Sequence, residues 1–398
     1  ERTFDDAGSR FANLIEKIST KQQLPVVILV DEYDKPILDA INQPEVAREN
    51  RDFLRGFYST IKDYDAQIKF SFLTGVSKFA RVSIFSGLNN LYDITLEPEF
   101  STLCGYTDHD IDTVFAPELA GLDRNEIRNW YNGYNWLGEG VYNPFDILQL
   151  FRSREFKNYW FESGTPTFLV DFLFKRQIKT LELDNMVSSS AMLSNFDIEH
   201  MTTEALLFQS GYLTIKNVRR FGGKISYTLG FPNQEVYQSL NECLLSALVK
   251  DQGLQEKQTI RLYELLEIND FDGMKALFHS FFASIPHQWY TNNEMQNYEG
   301  YYASVFYSYF ASLGLGISVE DSTNLGRIDM TLKFNEQVYI FEFKVVEIVP
   351  EGKALQQIKD KGYADKYAAL DQPIYLIGVE FSKESRNIVE FGVFQAQP

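Results

Sequence analysis

The sequence is poor in the residues that build disulfide scaffolds and zinc sites. Its two cysteines, Cys104 and Cys243, lie far apart without metal-ligand spacing, and its four histidines form no HExxH or His-Cys cluster. Disulfide and zinc frameworks are therefore excluded, and free thiols are typical of a reducing cytoplasm. No apolar run is long enough to cross a bilayer. The first residues, from Glu1, are neither a signal peptide nor a start methionine, which indicates a truncated chain.

Positive charge is also scarce. Lys and Arg number 37 against 55 Asp and Glu, which gives a net charge of -18 at pH 7. Proteins that coat nucleic acid bind mainly by neutralising phosphates, so this balance counts against such a role but not against a nuclease. Four lysines cluster on one predicted helical stretch, namely Lys353, Lys359, Lys361 and Lys366. This basic face is compatible with contact to one nucleic-acid strand, although a solvated helix surface is the simpler interpretation.

Two apolar runs in the N-terminal region predict neighbouring strands of a parallel sheet. The β-branched run Val26–Val30 is followed by a predicted helix at about residues 45–64 and then by a second run, Ile68–Leu73. Continuous apolar runs of this kind are typical of parallel strands that are buried on both faces. In such βαβ units, ligands lie at the carboxyl ends of the strands.

Acidic and polar residues follow both of these strands. Asp31, Glu32 and Asp34 follow the first strand, and Thr74 follows the second. An apolar strand that ends in two acids has the Walker B pattern, in which Asp31 anchors a magnesium ion and Glu32 polarises the attacking water. Thr74 then stands where AAA-type ATPases sense the phosphate, whereas the alternative is that the acids only cap the next helix. No GxxxxGK[ST] phosphate loop occurs in the sequence, so it holds half of a nucleotide site.

The middle of the chain predicts helices and one hairpin. We expect short helices at about residues 106–151 and further helices at 166–208. Residues 211–215 and 225–229 then fit the two strands of a hairpin, with Gly222-Gly223 in the connection. This order of helices and hairpin suggests a winged-helix-like module.

Three charged residues lie in an apolar hairpin near the C-terminus. Residues two apart on a strand share a face, so Glu342 and Lys344 point the same way, and an antiparallel partner strand brings Asp329 beside them. Two carboxylates, with the Phe343 carbonyl as a third ligand, can hold a hard divalent cation, and the ammonium can orient or help deprotonate an attacking water. The alternative is a hairpin with cross-strand salt bridges. The apolar surroundings favour function, because buried carboxylates are costly without a cation or partner.

Five short segments carry a family resemblance: DEYDKP at 31–36, LTGVSKF at 73–79, SGLNNL at 86–91, YNGY at 131–134 and YNPF at 142–145. They resemble the AAA-ATPase-like proteins that are abundant in gut Bacteroidetes and carry a C-terminal PD-(D/E)XK nuclease domain. The resemblance covers nearly the whole chain. It implies that the phosphate loop lies upstream of Glu1, that Asp31 and Glu32 are the Walker B acids and that Thr74 is the sensor residue.

The resemblance also assigns roles in the C-terminal domain. The family's nuclease positions match Asp329, Glu342 and Lys344 in the core signature, Glu299 on the first helix, and Gln357 and Tyr363 after the catalytic hairpin. Ile328 replaces the usual proline before the first acid, a common departure that leaves the metal site intact. For Glu299, an ordinary acid in the first turn of a helix remains an equal alternative.

The sequence therefore predicts a multidomain α/β protein. We expect a partial P-loop AAA-type parallel sheet at residues 1–105 and a helical lid with a winged-helix-like region at 106–250. A helical linker at 251–285 then leads to a restriction-endonuclease-like α/β domain at 286–398.

The implied function is cleavage of DNA phosphodiester bonds, dependent on Mg²⁺ or Mn²⁺ and controlled by ATP in the intact protein. Asp329 and Glu342 would bind the metal, Lys344 would position the water and Gln357 would support the site. DNA is the expected substrate, with a protein partner or self-association also open and no membrane contact. The alternative is a nucleotide-switched signalling or interaction protein whose nuclease fold is a binding module. Because the phosphate loop is missing, we expect this chain to bind ATP weakly and not to hydrolyse it.

Overall fold

The computed structural model describes residues 6–41, 43–76, 84–85, 90–162, 169, 173, 176, 180–193, 202–248, 252–285, 299–323 and 326–396. The chain forms two compact units, Glu1–Phe151 with Asn185–Pro232 and Arg152–Asp184 with Asn233–Pro398. In the described ranges, every helix is too short or too polar to cross a membrane.

A two-stranded parallel sheet lies at the start of the first unit. Strands β1 (Val26–Val30) and β2 (Ile68–Leu73) pair in parallel, with Val30 opposite Leu73. The Thr74 N–H donates to the Val30 carbonyl over 2.8 Å, so the ladder continues to the strand tips. The prediction of two adjacent parallel strands is confirmed.

Helices α1 (Ala7–Gln22), α2 (Lys35–Leu38) and α3 (Pro44–Asp63) accompany this sheet. α1 and α3 pack against each other through stacked rings of Phe11 and Phe57, whose centroids are 4.7 Å apart. Apolar residues at helical spacing place these rings on the inner sides of the two helices.

The two faces of the sheet are not equally buried. Ile28 is 7% exposed, whereas Val27 and Leu29, which point to the other face, are 51% and 69% exposed. Phe70 of β2 is 54% exposed. The expectation that both faces are buried is therefore wrong for the described residues, because only the face of Ile28 is covered. An apolar sequence shows that the residues of a strand can be buried. It does not show that another helix or strand covers them.

Short helices follow, as predicted for this region. They are α4 (Asp108–Thr113), α5 (Arg124–Tyr131) and α6 (Pro144–Ser153). α4 begins with a capping box, in which Thr107 and Asp110 bond each other's backbone N–H groups.

A three-stranded antiparallel sheet completes the first unit. The predicted hairpin is present as β4 (Thr214–Phe221) and β5 (Lys224–Gly230). β3 (Met186–Ser189) pairs with β5, so the strand order is β3-β5-β4. The prediction of helices throughout 166–208 is thus wrong at β3, where pairing with the hairpin overrides local helix preference.

Two helices accompany this sheet, α8 (Ser190–Leu193) and α9 (Thr203–Gln209). Helices precede the hairpin in the predicted order, and the winged-helix-like module stays a prediction.

The second unit is built on a mixed five-stranded sheet. Its strands are β6 (Gly316–Ser322), β7 (Arg327–Phe334), β8 (Gln337–Val346), β9 (Ile374–Ser382) and β10 (Asn387–Ala396). The order is β10-β9-β8-β7-β6, and β8 and β9 are parallel whereas the other neighbours are antiparallel. This mixed α/β architecture matches the predicted fold class.

Helices lie on both faces of this sheet. The helices of this unit in the described ranges are α7 (Tyr159–Glu162), α10 (Gln234–Leu248), α11 (Gln252–Glu267), α12 (Phe271–Ser284), α13 (Glu299–Ser312) and α14 (Lys353–Asp360). Leu245 of α10, Leu262 of α11 and Phe278 of α12 belong to the same buried cluster as the sheet, and the Phe278 ring stacks on Phe306 of α13 at 3.9 Å. Each fully buried side chain of this size stabilises the fold by about 1.5–3 kcal/mol.

A smaller core lies on the opposite face of the sheet. Ile340 of β8 and Ile358 of α14 pack there with Tyr363 and Tyr367, which belong to a 3₁₀ helix, Tyr363–Leu370. The sheet is therefore buried on both faces, and each face of β8 has its own environment.

Candidate functional site

The charged residues of β8 lie on the face that holds the smaller core. Tyr339, Phe341 and Phe343 pack into the large aromatic core, whereas Ile340 faces α14. Because strand residues alternate, Glu342 shares the face of Ile340. The predicted shared face of Glu342 and Lys344 thus opens towards α14.

Asp329 lies where β7 and β8 part. The ladder between these strands ends at Met330, opposite Phe341. Beyond it, the Phe343 N–H donates to Oδ2 of Asp329 over 2.9 Å. The carboxylate therefore takes the place of a strand carbonyl, which fixes its position next to the residue between Glu342 and Lys344.

Glu342 is held by two side chains. It is 1% exposed, and its Oε1 lies 3.2 Å from Nζ of Lys344. Gln357 of α14 donates from Nε2 to the same oxygen. A buried carboxylate needs such partners, because it has lost its hydration. Without them, burying the charge costs on the order of several kcal/mol. Lys344 and Gln357 thus both contact the Glu342 carboxylate.

Tyr363 adds a fourth polar group beside these residues. Its hydroxyl donates to the Arg327 carbonyl over 2.9 Å. Burial raises the pKa of Tyr363, and the negative charges of Glu342 and Asp329 raise it further. The phenol therefore stays protonated near neutral pH, and the field of both carboxylates reaches it.

Sequence reasoning missed two residues of β9 that hold α14 in place. Gly378 is the register partner of Glu342, and a Cβ at this position would lie 2.2 Å from the backbone nitrogen of Leu355. Only glycine lets the helix approach the strand this closely. The approach places Gln357 of α14 against Glu342.

The second missed residue is Glu380, the register partner of Lys344. Its fully buried carboxylate accepts the N–H groups of Glu351 at 2.6 Å, Gly352 at 3.1 Å and Ala354 at 3.2 Å. It thereby satisfies free donors at the start of α14, where negative charge is favourable. An acid inside an apolar strand was the signal, and the same signal pointed to Glu342.

The donor set at this site fits a hard cation. Across the described residues, no group of three or more His, Cys, Asp or Glu side chains is arranged to hold a metal. A cation here would be held by the carboxylates of Asp329 and Glu342, with the Phe343 carbonyl and water as further oxygen ligands. Oxygen ligands with retained water suit Mg²⁺ or Mn²⁺ and not zinc.

Glu299 begins α13, but its side chain lies outside the described residues. The body of α13 packs on the aromatic face, where Phe306 contacts Phe343 with centroids 5.2 Å apart. The role expected of Glu299 stays a prediction.

In the first unit, Asp31 and Glu32 follow β1 as predicted. Both are exposed, and Oδ1 of Asp31 accepts the Glu32 N–H over 2.9 Å. Glu32 has φ 51°, in the left-handed region that a non-glycine residue enters at a cost of about 1 kcal/mol or more. Thr74 is half-buried, and its carbonyl accepts the Tyr33 N–H over 3.1 Å. The two strand tips are thus tied together, while the nucleotide roles stay predictions.

Asp34 is a buried residue that links the segments following β1 and β2. It is fully buried and accepts the Val76 N–H over 3.2 Å. A Cβ on Gly75 would lie 2.3 Å from Oδ1 of Asp34, so the Thr-Gly sequence leaves room for this carboxylate. Residues 77–83 and 86–89, which carry parts of two matching family segments, lie outside the described residues.

Comparison with known proteins gives matches at both ends of the chain. Residues 2–85 match a family model described as "Predicted AAA-ATPase", and residues 297–391 match the PD-(D/E)XK nuclease superfamily. The chain is 59% identical over 385 residues to an "Uncharacterized protein in vnfD 5'region" of Azotobacter chroococcum mcd 1, covering 97% of this chain and 75% of that protein. No solved structure matches the chain. The chain belongs to the family of AAA-ATPase-like proteins with a C-terminal PD-(D/E)XK nuclease domain.

Proposed function

We propose that the second unit is a nuclease that cleaves DNA phosphodiester bonds with Mg²⁺ or Mn²⁺. The observation that carries the proposal is the convergence of Glu342, Lys344 and Gln357 beside the point where Asp329 caps the parting strands. Further support is that Glu342 and Lys344 share one face of β8 and that Gln357 of α14 donates to Glu342.

Each side chain has a distinct task in this proposal. Asp329 and Glu342 hold the cation, and the Phe343 N–H and the Gln357 amide keep the two carboxylates in place. Lys344 is 23% exposed, so its ammonium can reach both Glu342 and solvent. There it can orient the attacking water and offset negative charge on the phosphate. A bound divalent cation supplies Lewis-acid stabilisation of the charge that develops on the phosphate oxygens.

The first unit is proposed to couple ATP to this activity when a phosphate loop completes its nucleotide site. Support comes from the parallel β1–β2 pair, whose tips carry Asp31, Glu32 and Thr74. Asp31 would anchor magnesium, Glu32 would polarise water and Thr74 would sense the phosphate.

Cleavage of plasmid and linear DNA by the purified chain tests the nuclease. We expect cleavage with Mg²⁺ or Mn²⁺, none with EDTA, and a loss of about 100-fold or more in Asp329→Asn and Lys344→Met. Glu336→Gln, at an exposed position of the β7–β8 turn, removes a charge from the same hairpin and should retain full activity. A folded chain that cuts no nucleic acid with either metal, yet forms a stable complex with a protein, would replace the nuclease by the interaction module.

A further inference from the structure

The hairpin of the first unit carries a concentration of positive charge that the nuclease site does not explain. Between Glu204 and Glu235 the sequence has no acidic residue, although the chain as a whole carries a net charge of -18. The basic residues of this interval are Lys216, Arg219, Arg220 and Lys224. We call residues 216–224 the basic tip.

The basic tip is exposed along its whole length. All residues from 216 to 224 are exposed, whereas Thr214 and Ile215 at the base of the same strand are buried. β4 is an edge strand of its three-stranded sheet. The tip therefore projects from the core of its unit, and its cations face solvent.

Three of these four cations have no acidic partner in the described part of the chain. Arg219, Arg220 and Lys224 make no ion pair there. The Arg219 guanidinium instead lies over the ring of Phe221, 5.8 Å from its centroid. Phe221 is 51% exposed and Val218 is 38% exposed. Exposed apolar surface among unpaired cations suits a ligand that offers both negative charge and flat rings.

A groove beside the tip has the same sign of charge. Its volume is about 600 Å³, and Lys216, Arg220, Asn135 and Gly138 are among the residues that line it. No carboxylate is among its described lining residues. Polar amides and cations without acids favour an anionic ligand over a cationic one.

The edge of β4 is poorly suited to an added peptide strand. A bulge interrupts the pairing between Ile215 and Asn217, and Oδ1 of Asn217 accepts the Val218 N–H over 2.8 Å. This N–H is therefore not free to bond an added strand. Bulges also twist an edge strand so that another strand pairs with it less readily. Contact between the basic side chains and a polyanion therefore suits this surface better than the addition of a peptide strand.

We propose that the basic tip binds the phosphate backbone of nucleic acid and gives the acidic chain a second point of contact with its substrate. The proposal rests on the proposed nuclease for the identity of the polyanion, but it concerns binding and not cleavage. The cations contact phosphates, and Phe221 packs against sugars or bases. Contacts of this kind carry no sequence preference.

Binding of the full chain to a labelled DNA duplex, and to one of its single strands, tests the proposal by fluorescence anisotropy over a series of salt concentrations. EDTA is present throughout, so cleavage does not interfere. The variant is Arg219→Gln/Arg220→Gln/Lys224→Gln. The control is Lys17→Gln/Lys21→Gln/Lys69→Gln, which removes three exposed cations elsewhere in the same unit.

A plot of the logarithm of the DNA-binding constant against the logarithm of salt concentration has a slope whose magnitude falls by about 1 for each lost phosphate contact. The slope of the variant should therefore be smaller in magnitude by about 2–3, and that of the control by less than about 1. Equal slopes and affinities in variant, control and parent overturn the proposal. So does a variant that binds DNA normally but loses self-association in sedimentation, because the tip would then contact acidic surfaces of a second copy. DNA binding that depends on the tip without any metal-dependent cleavage would uphold this proposal and reject the nuclease.

Discussion

The ammonium nitrogen of Lys344 lies 3.2 Å from Oε1 of Glu342. The carboxylate is 1% exposed, while the lysine side chain is 23% exposed. One partner of the pair is therefore buried and the other reaches solvent. Such a cation can neutralise the acid in the metal-free protein and move aside when another cation or a phosphate arrives.

Lys344→Met should destabilise the second unit when no metal is present. It leaves the buried Glu342 carboxylate with the Gln357 amide but without its cation, which should lower the free energy of unfolding by about 1–3 kcal/mol. Urea unfolding in EDTA measures the change. In excess Mg²⁺ the loss should be smaller, because the metal supplies the missing charge.

Lys361→Met is the matched control, since Lys361 is an exposed lysine at the end of α14. It should change the free energy of unfolding by less than about 0.5 kcal/mol in either condition. An equal loss for Lys344→Met with and without Mg²⁺ would mean that the ion pair is purely structural.

Mg²⁺ or Mn²⁺ should stabilise the parent chain and not Asp329→Asn. A ligand at about 100 times its Kd adds about 2.7 kcal/mol to the free energy of unfolding. Calorimetry over a metal series should therefore show a rising melting temperature for the parent and a flat response for the variant. A variant that responds like the parent would place the metal away from Asp329.

The sequence allowed the charged core of the site to be predicted, because alternation along a strand is a local rule. Glu342 and Lys344 had to share a face, and the apolar residues between them had to face a core. The role of Gln357, which lies on α14, could be predicted only from the family resemblance. Its docking on β9 depends on Gly378 and Glu380, which are distant in sequence from the helix that they hold.

For the N-terminal sheet, the sequence predicted the strands but not the burial of their faces. The apolar run of β1 correctly predicted a parallel strand, but it did not show whether both faces are covered. Val27 and Leu29 are exposed because burial depends on neighbouring elements and not on the strand's own composition. The same reason explains β3, whose pairing with β5 is a tertiary contact within a stretch that was predicted as helix.

Glu380→Gln should destabilise the second unit and disturb the site. The amide keeps one acceptor oxygen but turns an NH₂ group towards the backbone donors of Glu351, Gly352 and Ala354, so we expect a loss of about 1–3 kcal/mol. Urea unfolding measures it, with Glu390→Gln on β10 as a control. Cleavage activity should fall too, because α14 carries Gln357. Unchanged stability would show that the carboxylate is not needed to hold the helix.

Asp321 should give the second unit a dependence on acid pH. Its burial opposes ionisation, but hydrogen bonds from Lys366 and Tyr367 outweigh this and lower the pKa of Asp321. Burial raises the pKa of Tyr367 to about 12, so the phenol remains a donor. A lowered carboxyl pKa contributes stability above the unfolded value, about 3.9, and this is lost as pH falls through the folded pKa.

The free energy of unfolding should therefore fall more between about pH 5 and pH 3 in the parent than in Asp321→Asn, which has no proton to bind. Denaturation at several pH values gives both curves. Asp360→Asn, an acid at the exposed end of α14, is the control and should follow the parent. Parallel curves for parent and Asp321→Asn would mean that this carboxyl is not linked to folding.

The chain should bind ATP weakly and not hydrolyse it. Hydrolysis needs backbone amides that cradle the phosphates as well as acids that hold magnesium and polarise water, and the sequence contains the acids Asp31 and Glu32 but no GxxxxGK[ST] loop. Both acids are exposed at the tip of β1. Phosphate release should stay at background for the parent, for Glu32→Gln and for Glu16→Gln, an exposed control on α1. Turnover in the parent that Glu32→Gln abolishes and Glu16→Gln preserves would show that the strand tips form a working ATPase without that loop.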